Sequence, residues 1–282
     1  MIPRAQITEW GSRAPWPTDA DIEQDLILSR LMVEIAKDDL LGDELAMRGG
    51  TCLHKLHLPK PLRYSEDLDY VRRTHSGIKT YMDALRKIAT EVGLVEHGFN
   101  QVGQMVHMIF DTDSTDGLRR IRIKIETNIR ETESCFDRTT RPYQVSSTWW
   151  SGEAEISTFH IDELMGTKLR ALYQRSKGRD LFDLWHVLID TDADDERIIQ
   201  AFNHYMQDGA FTYSDLAANL AEKLADPNFA GDLNDLVATP PAGYDLAAAA
   251  DIVMERLASR LAKAPNPDAI RDGRWRAAST KT

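Results

Sequence analysis

The chain has 282 residues, with 34 Lys and Arg against 45 Asp and Glu, a formal net charge of -11 and a 42% apolar fraction. That length suits one large domain or two modest ones, and the apolar share builds a core, which excludes wholesale disorder. Two cysteines, Cys52 and Cys135, exclude a disulfide scaffold, and the acidity argues against general binding to phosphate backbones.

Residues 1–18 contain Pro3, Pro15 and Pro17 and read as irregular. Met1-Ile2-Pro3-Arg4-Ala5 lacks the apolar core of a secretory signal, and no run of about 18 apolar residues occurs. A cytoplasmic protein with two incidental thiols and no membrane partner is expected. From a Thr18 cap, Ile22, Leu26, Ile27, Leu31 and Ile35 recur at helical spacing, which predicts a helix from 19 toward 40 with Gly42 as its stop. Residues 44–48 lead into Gly49-Gly50-Thr51, which opens a short helix over 51–58 closed by Pro59 and Pro61. A strand follows in Ser65-Glu66-Asp67-Leu68-Asp69-Tyr70-Val71, then an amphipathic helix over 78–92 ending at Gly93.

Strands over 105–110 and 119–128 flank a turn-rich 111–117, which predicts a hairpin. In the second strand Ile121, Ile123 and Ile125 share one face, and Arg122, Lys124 and Glu126 share the other. A loop or extended region runs to about 158, with Trp149-Trp150 inside it. Those rings could stack a base, but a core or interface role is the simpler reading. Helices then cover 162–176 and 180–189, interrupted at Gly178, and further helical patterns fill 195–263. The expected architecture is an α/β (α+β) protein: a mixed-sheet domain over 1–160 with an N-terminal helix, and an all-α domain over 161–282.

The strongest local chemistry is Gly49-Gly50-Thr51 upstream of Ser65 and Asp67-Leu68-Asp69. Glycines at a helix opening let backbone amides approach a phosphate, and Thr51 can cap the helix and donate its hydroxyl. Asp67 and Asp69 are two apart on a strand, so both carboxylates leave one face. Paired hard oxygens with room for substrate phosphates suit Mg²⁺. The bland alternative is a Gly-Gly turn beside a solvated acidic strand edge. Glu126 could complete a carboxylate site, or pair with Lys124 or Arg122. Residues 166–179 carry Lys168, Arg170, Arg175, Lys177 and Arg179 and no acid, a local reversal in an acidic chain. Lys168 and Arg175, seven apart, share a helical face and could neutralise phosphoryl oxygens. Otherwise the helix is solvated and pairs with Asp180 and Asp183. Cys52 with His54 and His57 is a poor zinc pattern, and His160 and His186 read as structural.

In order along the chain, Gly-Gly-Thr, Ser-Glu-Asp-Leu-Asp, Ile-Lys-Ile-Glu, Lys-Leu-Arg-Ala-Leu and Arg-Asp-Leu-Phe-Asp-Leu resemble the AbiEii/MenT-type nucleotidyltransferase toxins of the polymerase-beta-like superfamily. The resemblance spans about 44–190. It implies a minimal nucleotidyltransferase core, a mixed sheet flanked by helices, followed by a helical C-terminal domain. It implies Mg²⁺-dependent transfer of a nucleoside monophosphate from an NTP, in the MenT branch to the 3′ end of tRNA, blocking aminoacylation and translation. It also implies a cognate antitoxin encoded nearby. Carried over by position, Gly49, Gly50 and Thr51 match the turn that holds the triphosphate, and Ser65 adjoins it. Asp67 and Asp69 match the metal pair, Glu126 the third carboxylate, and Lys168 the triphosphate lysine, with Arg175 or Arg179 on the departing pyrophosphate. Asp180 and Asp183 both fall in the last motif, and either can be its active-site carboxylate. Two rivals remain at this level: a small-molecule nucleotidyltransferase of aminoglycoside type, and a non-catalytic relative that binds a nucleotide or a protein.

Overall fold

The structure is a computed structural model that describes residues 2–206, 211–237, 241 and 243–261. The N-terminal segment expected to be irregular begins with a helix, α1 (Arg4–Trp10). Tertiary contacts rather than local signals hold it. The indole N–H groups of Trp10 and Trp16 both donate to the carboxylate of Asp25 at 2.8 Å, and all three residues are buried. Helix α2 (Asp19–Lys37) opens with the expected cap: Thr18 accepts from the Asp21 N–H, and Asp21 accepts from the Thr18 N–H. It stops before Gly42, because Asp38 turns extended and its carboxylate caps a new helix, α3 (Asp39–Glu44), by accepting from the N–H groups of Leu40 and Leu41. Gly42 therefore lies inside α3.

Strand β1 (Leu45–Arg48) runs directly into α4 (Gly49–Cys52), which continues as a π-helical turn, Leu53–His57. Strand β2 (Asp67–Arg72) returns antiparallel to β1. Helix α5 (Lys79–Val92) ends at Gly93, whose φ of 93° takes the left-handed C-cap. Strand β3 (Val95–Val102) carries no sequence signal, being exposed along nearly its whole length. Strands β4 (Met105–Asp113) and β5 (Arg120–Asn128) form the expected hairpin.

The region read as a loop or extended to about 158 is extended, and it forms a second hairpin that was not foreseen, β6 (Thr139–Ser146) and β7 (Ser151–Thr158). Pro142 within β6 disguised it. A proline is tolerated there because β6 is an edge strand, whose outer N–H groups need no ladder partner. The seven strands make one mixed sheet in the order β3-β4-β5-β2-β1-β7-β6. The β2–β5 and β1–β7 pairs are parallel, the rest antiparallel. Helix α2 packs along β7 and β6 and against α5. It buries Leu26, Leu28, Leu31 and Met32 completely, each contributing about 1.5–3 kcal/mol of apolar burial.

The chain divides into two compact units, Met1–His160 with Asp235–Thr239, and Ile161–Asn234 with Pro240–Thr282. In the first, the Tyr64 N–H donates to the Leu236 carbonyl at 2.7 Å, which anchors the later segment. Every α-helix described in the second unit packs within it: α6 (Ile161–Gln174), α7 (Gly178–Asp190), α8 (Asp195–Met206), α9 (Tyr213–Leu224), α10 (Pro227–Gly231) and α11 (Leu246–Arg256). Gly178 is the first residue of α7 rather than a gap between helices. At Gly166 a Cβ would lie 2.6 Å from the Cβ of Ala201, so glycine is what lets α6 and α8 approach.

Candidate active site

Strand register assembles the acidic face. Arg48 opposes Asp69 across β1–β2, Asp67 opposes Lys124 and Asp69 opposes Glu126 across β2–β5, and Glu126 opposes His107 across β5–β4. Directly opposed residues share a sheet face, so the sheet itself brings Asp67, Asp69 and Glu126 together. Sequence reading had Lys124 only as a surface partner and missed Arg48 and His107. In the structure the Lys124 ammonium sits between two of the carboxylates, 3.1 Å from Asp67 and 2.8 Å from Glu126. His107 Nδ1 lies 2.9 Å from the same Glu126 oxygen. The strand alternation that flagged Glu126 could have flagged Lys124. His107 needed the register.

These neighbours divide the carboxylates. Burial, then the charges of Glu126 and Asp67, push Asp69 up to about 7, against the pull of Arg48. Burial also raises Asp67 against the attraction of Lys124. Burial would raise Glu126 too, but the bond and charge of Lys124, a hydrogen bond with Asp69 and the charge of His107 hold it below the usual carboxylate range. In the pair, the proton therefore belongs to Asp69, which donates it to Glu126. An unfolded Asp releases its proton near 3.8, whereas folded Asp69 keeps it until about 7. Across that window the folded state binds more protons, so this group's share of stability falls as pH rises. Thermal melts of metal-free protein should show this decline, and Asp69→Asn should flatten it. An unchanged slope in that variant would remove the assignment.

The Gly-Gly-Thr turn packs onto this face. Gly49 has a φ of 82°, and a Cβ on it would lie 2.0 Å from Asp69 Oδ2. A Cβ on Gly50 would lie 2.5 Å from Nη2 of Arg63 and 2.8 Å from Oγ of Ser65. Arg63 is 2% exposed and donates to the Tyr64 carbonyl at 2.9 Å. Sequence reading passed over it. Gly49→Ala combines an unfavourable backbone with a collision against Asp69 and should destabilise the fold by about 2 kcal/mol or more, measured by denaturant unfolding. The Thr51 hydroxyl has a different task from the one expected. It donates to the Asp67 carbonyl at 2.6 Å and lies 2.9 Å from Ser65 Oγ. Its single proton ties the turn to the start of β2 rather than being offered to a ligand.

In the second unit, Lys168 and Arg175 meet as their spacing predicted, on a common carboxylate. Lys168 Nζ is 3.2 Å from Asp180 and 2.7 Å from Asp183, and Arg175 grips both oxygens of Asp180 at 2.7 and 2.9 Å. Asp180 and Asp183 are fully buried, and Lys168 is 7% exposed. Burial would raise Asp180, but the charge of Lys168 and the bond from Arg175 hold it below its ordinary value. Arg179 is drawn elsewhere: its backbone N–H donates to Asp232 at 3.2 Å and its guanidinium lies 4.0 Å from the same carboxylate. Lys177 also pairs with Asp232, at 3.3 Å. The basic run is thus largely neutralised inside its own unit.

The remaining candidates are structural. Cys52 and Cys135 are not joined in a disulfide, and burial pushes the Cys52 thiol up to about 12 beside Thr158. Trp149 and Trp150 flank the Arg30 guanidinium, 5.1 and 5.4 Å from their ring centres. Among the described residues no three His, Cys, Asp or Glu side chains converge as a finished metal cage. The donor chemistry of Asp67, Asp69 and Glu126 nonetheless fits a hard divalent cation, and the Lys124 ammonium shows that this face already draws in positive charge.

The sequence profile of the nucleotidyl transferase AbiEii toxin family, of type IV toxin–antitoxin systems, matches residues 30–256. The chain belongs to the AbiEii family. It is accordingly a nucleotidyltransferase toxin of a toxin–antitoxin system. Its fold is that of MenT4, a nucleotidyltransferase toxin from Mycobacterium tuberculosis H37Rv, with a TM-score of 0.66 and 19% identity over 96% of this chain and 93% of that one. JHP933 from Helicobacter pylori aligns with a TM-score of 0.48 and 18% identity over 85% of this chain and 90% of that one. No curated protein matches the sequence. Among the described residues of this AbiEii toxin no helix is long and apolar enough to cross a membrane.

Proposed function

We propose that this AbiEii toxin transfers a nucleoside monophosphate from an NTP to the 3′ end of tRNA in the cytoplasm, with Mg²⁺ as cofactor, so that the tRNA can no longer be aminoacylated. The observation that carries the reading is that strand register puts Asp67, Asp69 and Glu126 on one sheet face, with the Gly49-Gly50 turn packed against Asp69. Asp67, Asp69 and Glu126 are the residues that would hold Mg²⁺, which when bound supplies positive charge to the phosphates. The turn carries no side chain of its own, which lets the Asp69 carboxylate and the Arg63 guanidinium close onto its backbone. An acceptor ribose hydroxyl attacks the α-phosphorus and releases its proton to solvent, the α–β anhydride bond breaks, and pyrophosphate leaves with its electron pair. Glu126, held ionised by Lys124 and His107, is matched to holding positive charge rather than to taking the hydroxyl proton. Lys168 is the triphosphate lysine of this reading. Asp183 orients its ammonium, and Asp180 is shared with Arg175. A cognate antitoxin encoded nearby is the partner that restrains the activity.

The test is incubation with total tRNA, Mg²⁺ and each α-labelled NTP in turn. Label should enter tRNA, and a chelator should prevent it. Label that enters only an aminoglycoside would favour the small-molecule reading. No transfer, together with NTP binding, would favour a non-catalytic relative. The basic run is paired with Asp180, Asp183 and Asp232 and so does not repel a cationic small substrate, and the acceptor panel should include both classes.

A further inference from the structure

The two edges of the sheet are built differently. Strand β6 carries Pro142 and Arg141, features that keep an edge from pairing with another chain. Strand β3, at the opposite edge, has no proline and exposes apolar side chains: Val95 is 66%, Phe99 53% and Val102 64% exposed. Among the described residues no strand pairs with its outer side. An edge of this kind is a template for strand addition.

The occupant is suggested by the strand's own sequence, Val-Glu-His-Gly-Phe-Asn-Gln-Val. Against β4, β3 has a register shift between Glu96 and Gly98, which leaves His97 as the extra residue of a bulge. The bulge reverses the usual alternation. Val95, Gly98, Asn100 and Val102 oppose Asp111, Ile109, His107 and Met105, on the face that carries Glu126, while Glu96, Phe99 and Gln101 lie on the other. Two copies of β3 laid antiparallel, each keeping its bulge, come into a self-complementary register about Phe99. Phe99 then meets Phe99 of the partner subunit. Val95 meets Val102 of the partner subunit, Glu96 meets Gln101 of the partner subunit, and the bulge faces Asn100 of the partner subunit. Every opposed pair falls on a common sheet face, as cross-strand packing requires. No like charges stand directly opposite, and Glu96 and His97 are already paired within the chain, with Arg86 at 2.9 Å and Asp111 at 2.9 Å.

We propose that β3 is a self-association edge, through which two copies of this toxin join their sheets about a two-fold axis at Phe99. A junction of one short strand per copy is smaller than a standard interface, so the dimer is reversible and concentration-dependent. The proposal does not rest on the tRNA reading.

Sedimentation of the full chain, from micromolar to near-millimolar concentration, should show the mass rising from 31.9 kDa toward twice that value. Val95→Lys/Val102→Lys places lysine opposite lysine twice and should stay monomeric. Val95→Glu/Val102→Lys places glutamate opposite lysine twice in this register and should dimerise at least as well as the native chain. All the changed side chains are exposed, so unchanged thermal melts are expected to accompany both variants. A native chain that remains monomeric throughout, or two double variants that associate equally, would overturn the proposal. Nucleotide transfer is measured in parallel, so loss of the dimer with transfer intact is read separately from failure of the catalytic assignment.

Discussion

Asp69→Asn is expected to abolish nucleotidyl transfer while leaving the fold in place or steadier. Asp69 is central to the site: it opposes Glu126 and Arg48 in register, and the Gly49 turn closes to within contact of its carboxylate. Asparagine keeps the shape but carries no charge for a cation or for developing charge on phosphate. Losses on removing such a group run to about 10²–10³-fold in rate or more. In metal-free protein the native side chain prefers its proton up to about pH 7, so a neutral amide costs little there and relieves the repulsion from Glu126 and Asp67. Transfer assays beside thermal melts separate the two effects. Full transfer by a folded Asp69→Asn protein would overturn the site assignment, and a collapsed fold would contradict the burial argument.

Lys168→Met should cost both transfer and stability. Its ammonium lies between the fully buried Asp180 and Asp183. Arg175 remains on Asp180, while Asp183 loses the ammonium that lies 2.7 Å from it. Removing one partner of a buried ion pair costs about 3–5 kcal/mol. The double variant Lys168→Met/Asp183→Asn removes both members of the buried pair and should regain much of that stability without regaining transfer. Urea unfolding and the tRNA-labelling assay report the two quantities. A destabilised Lys168→Met protein that transfers at the native rate would show that the lysine is purely structural.

The legible part of this fold follows from local physical chemistry. The Thr18 cap, the Gly93 stop and the alternation of Ile121, Ile123 and Ile125 against Arg122, Lys124 and Glu126 are written in short windows, and each stands where it was read, although the helix from Thr18 ends at Lys37 rather than toward Gly42. The illegible part depends on partners distant in the chain. Helix α1 exists because Trp10 and Trp16 share Asp25. Strand β3 lies on an exposed edge with little buried pattern to betray it. The β6–β7 hairpin was masked by Pro142, which only an edge position tolerates.

The site divides along the same line. The sequence by itself determined which residues have the chemistry: a side-chain-free turn at Gly49 and Gly50, carboxylates two apart at Asp67 and Asp69, and a lysine and an arginine two helical turns apart at Lys168 and Arg175. It also carried the family resemblance, because these types and spacings are local. Only the tertiary structure decided what each group touches. Parallel pairing of β2 with β5 put Glu126 beside Asp69 and drew Lys124 and His107 onto it. Burial of Asp180 and Asp183 turned a basic stretch into a neutral, ion-paired cluster and sent Arg179 to Asp232. Charge in a protein is set by neighbours and solvent access, and neither is a property of position along the chain. The net charge of -11 therefore says less about this toxin's site than the few cations that the fold places beside its carboxylates.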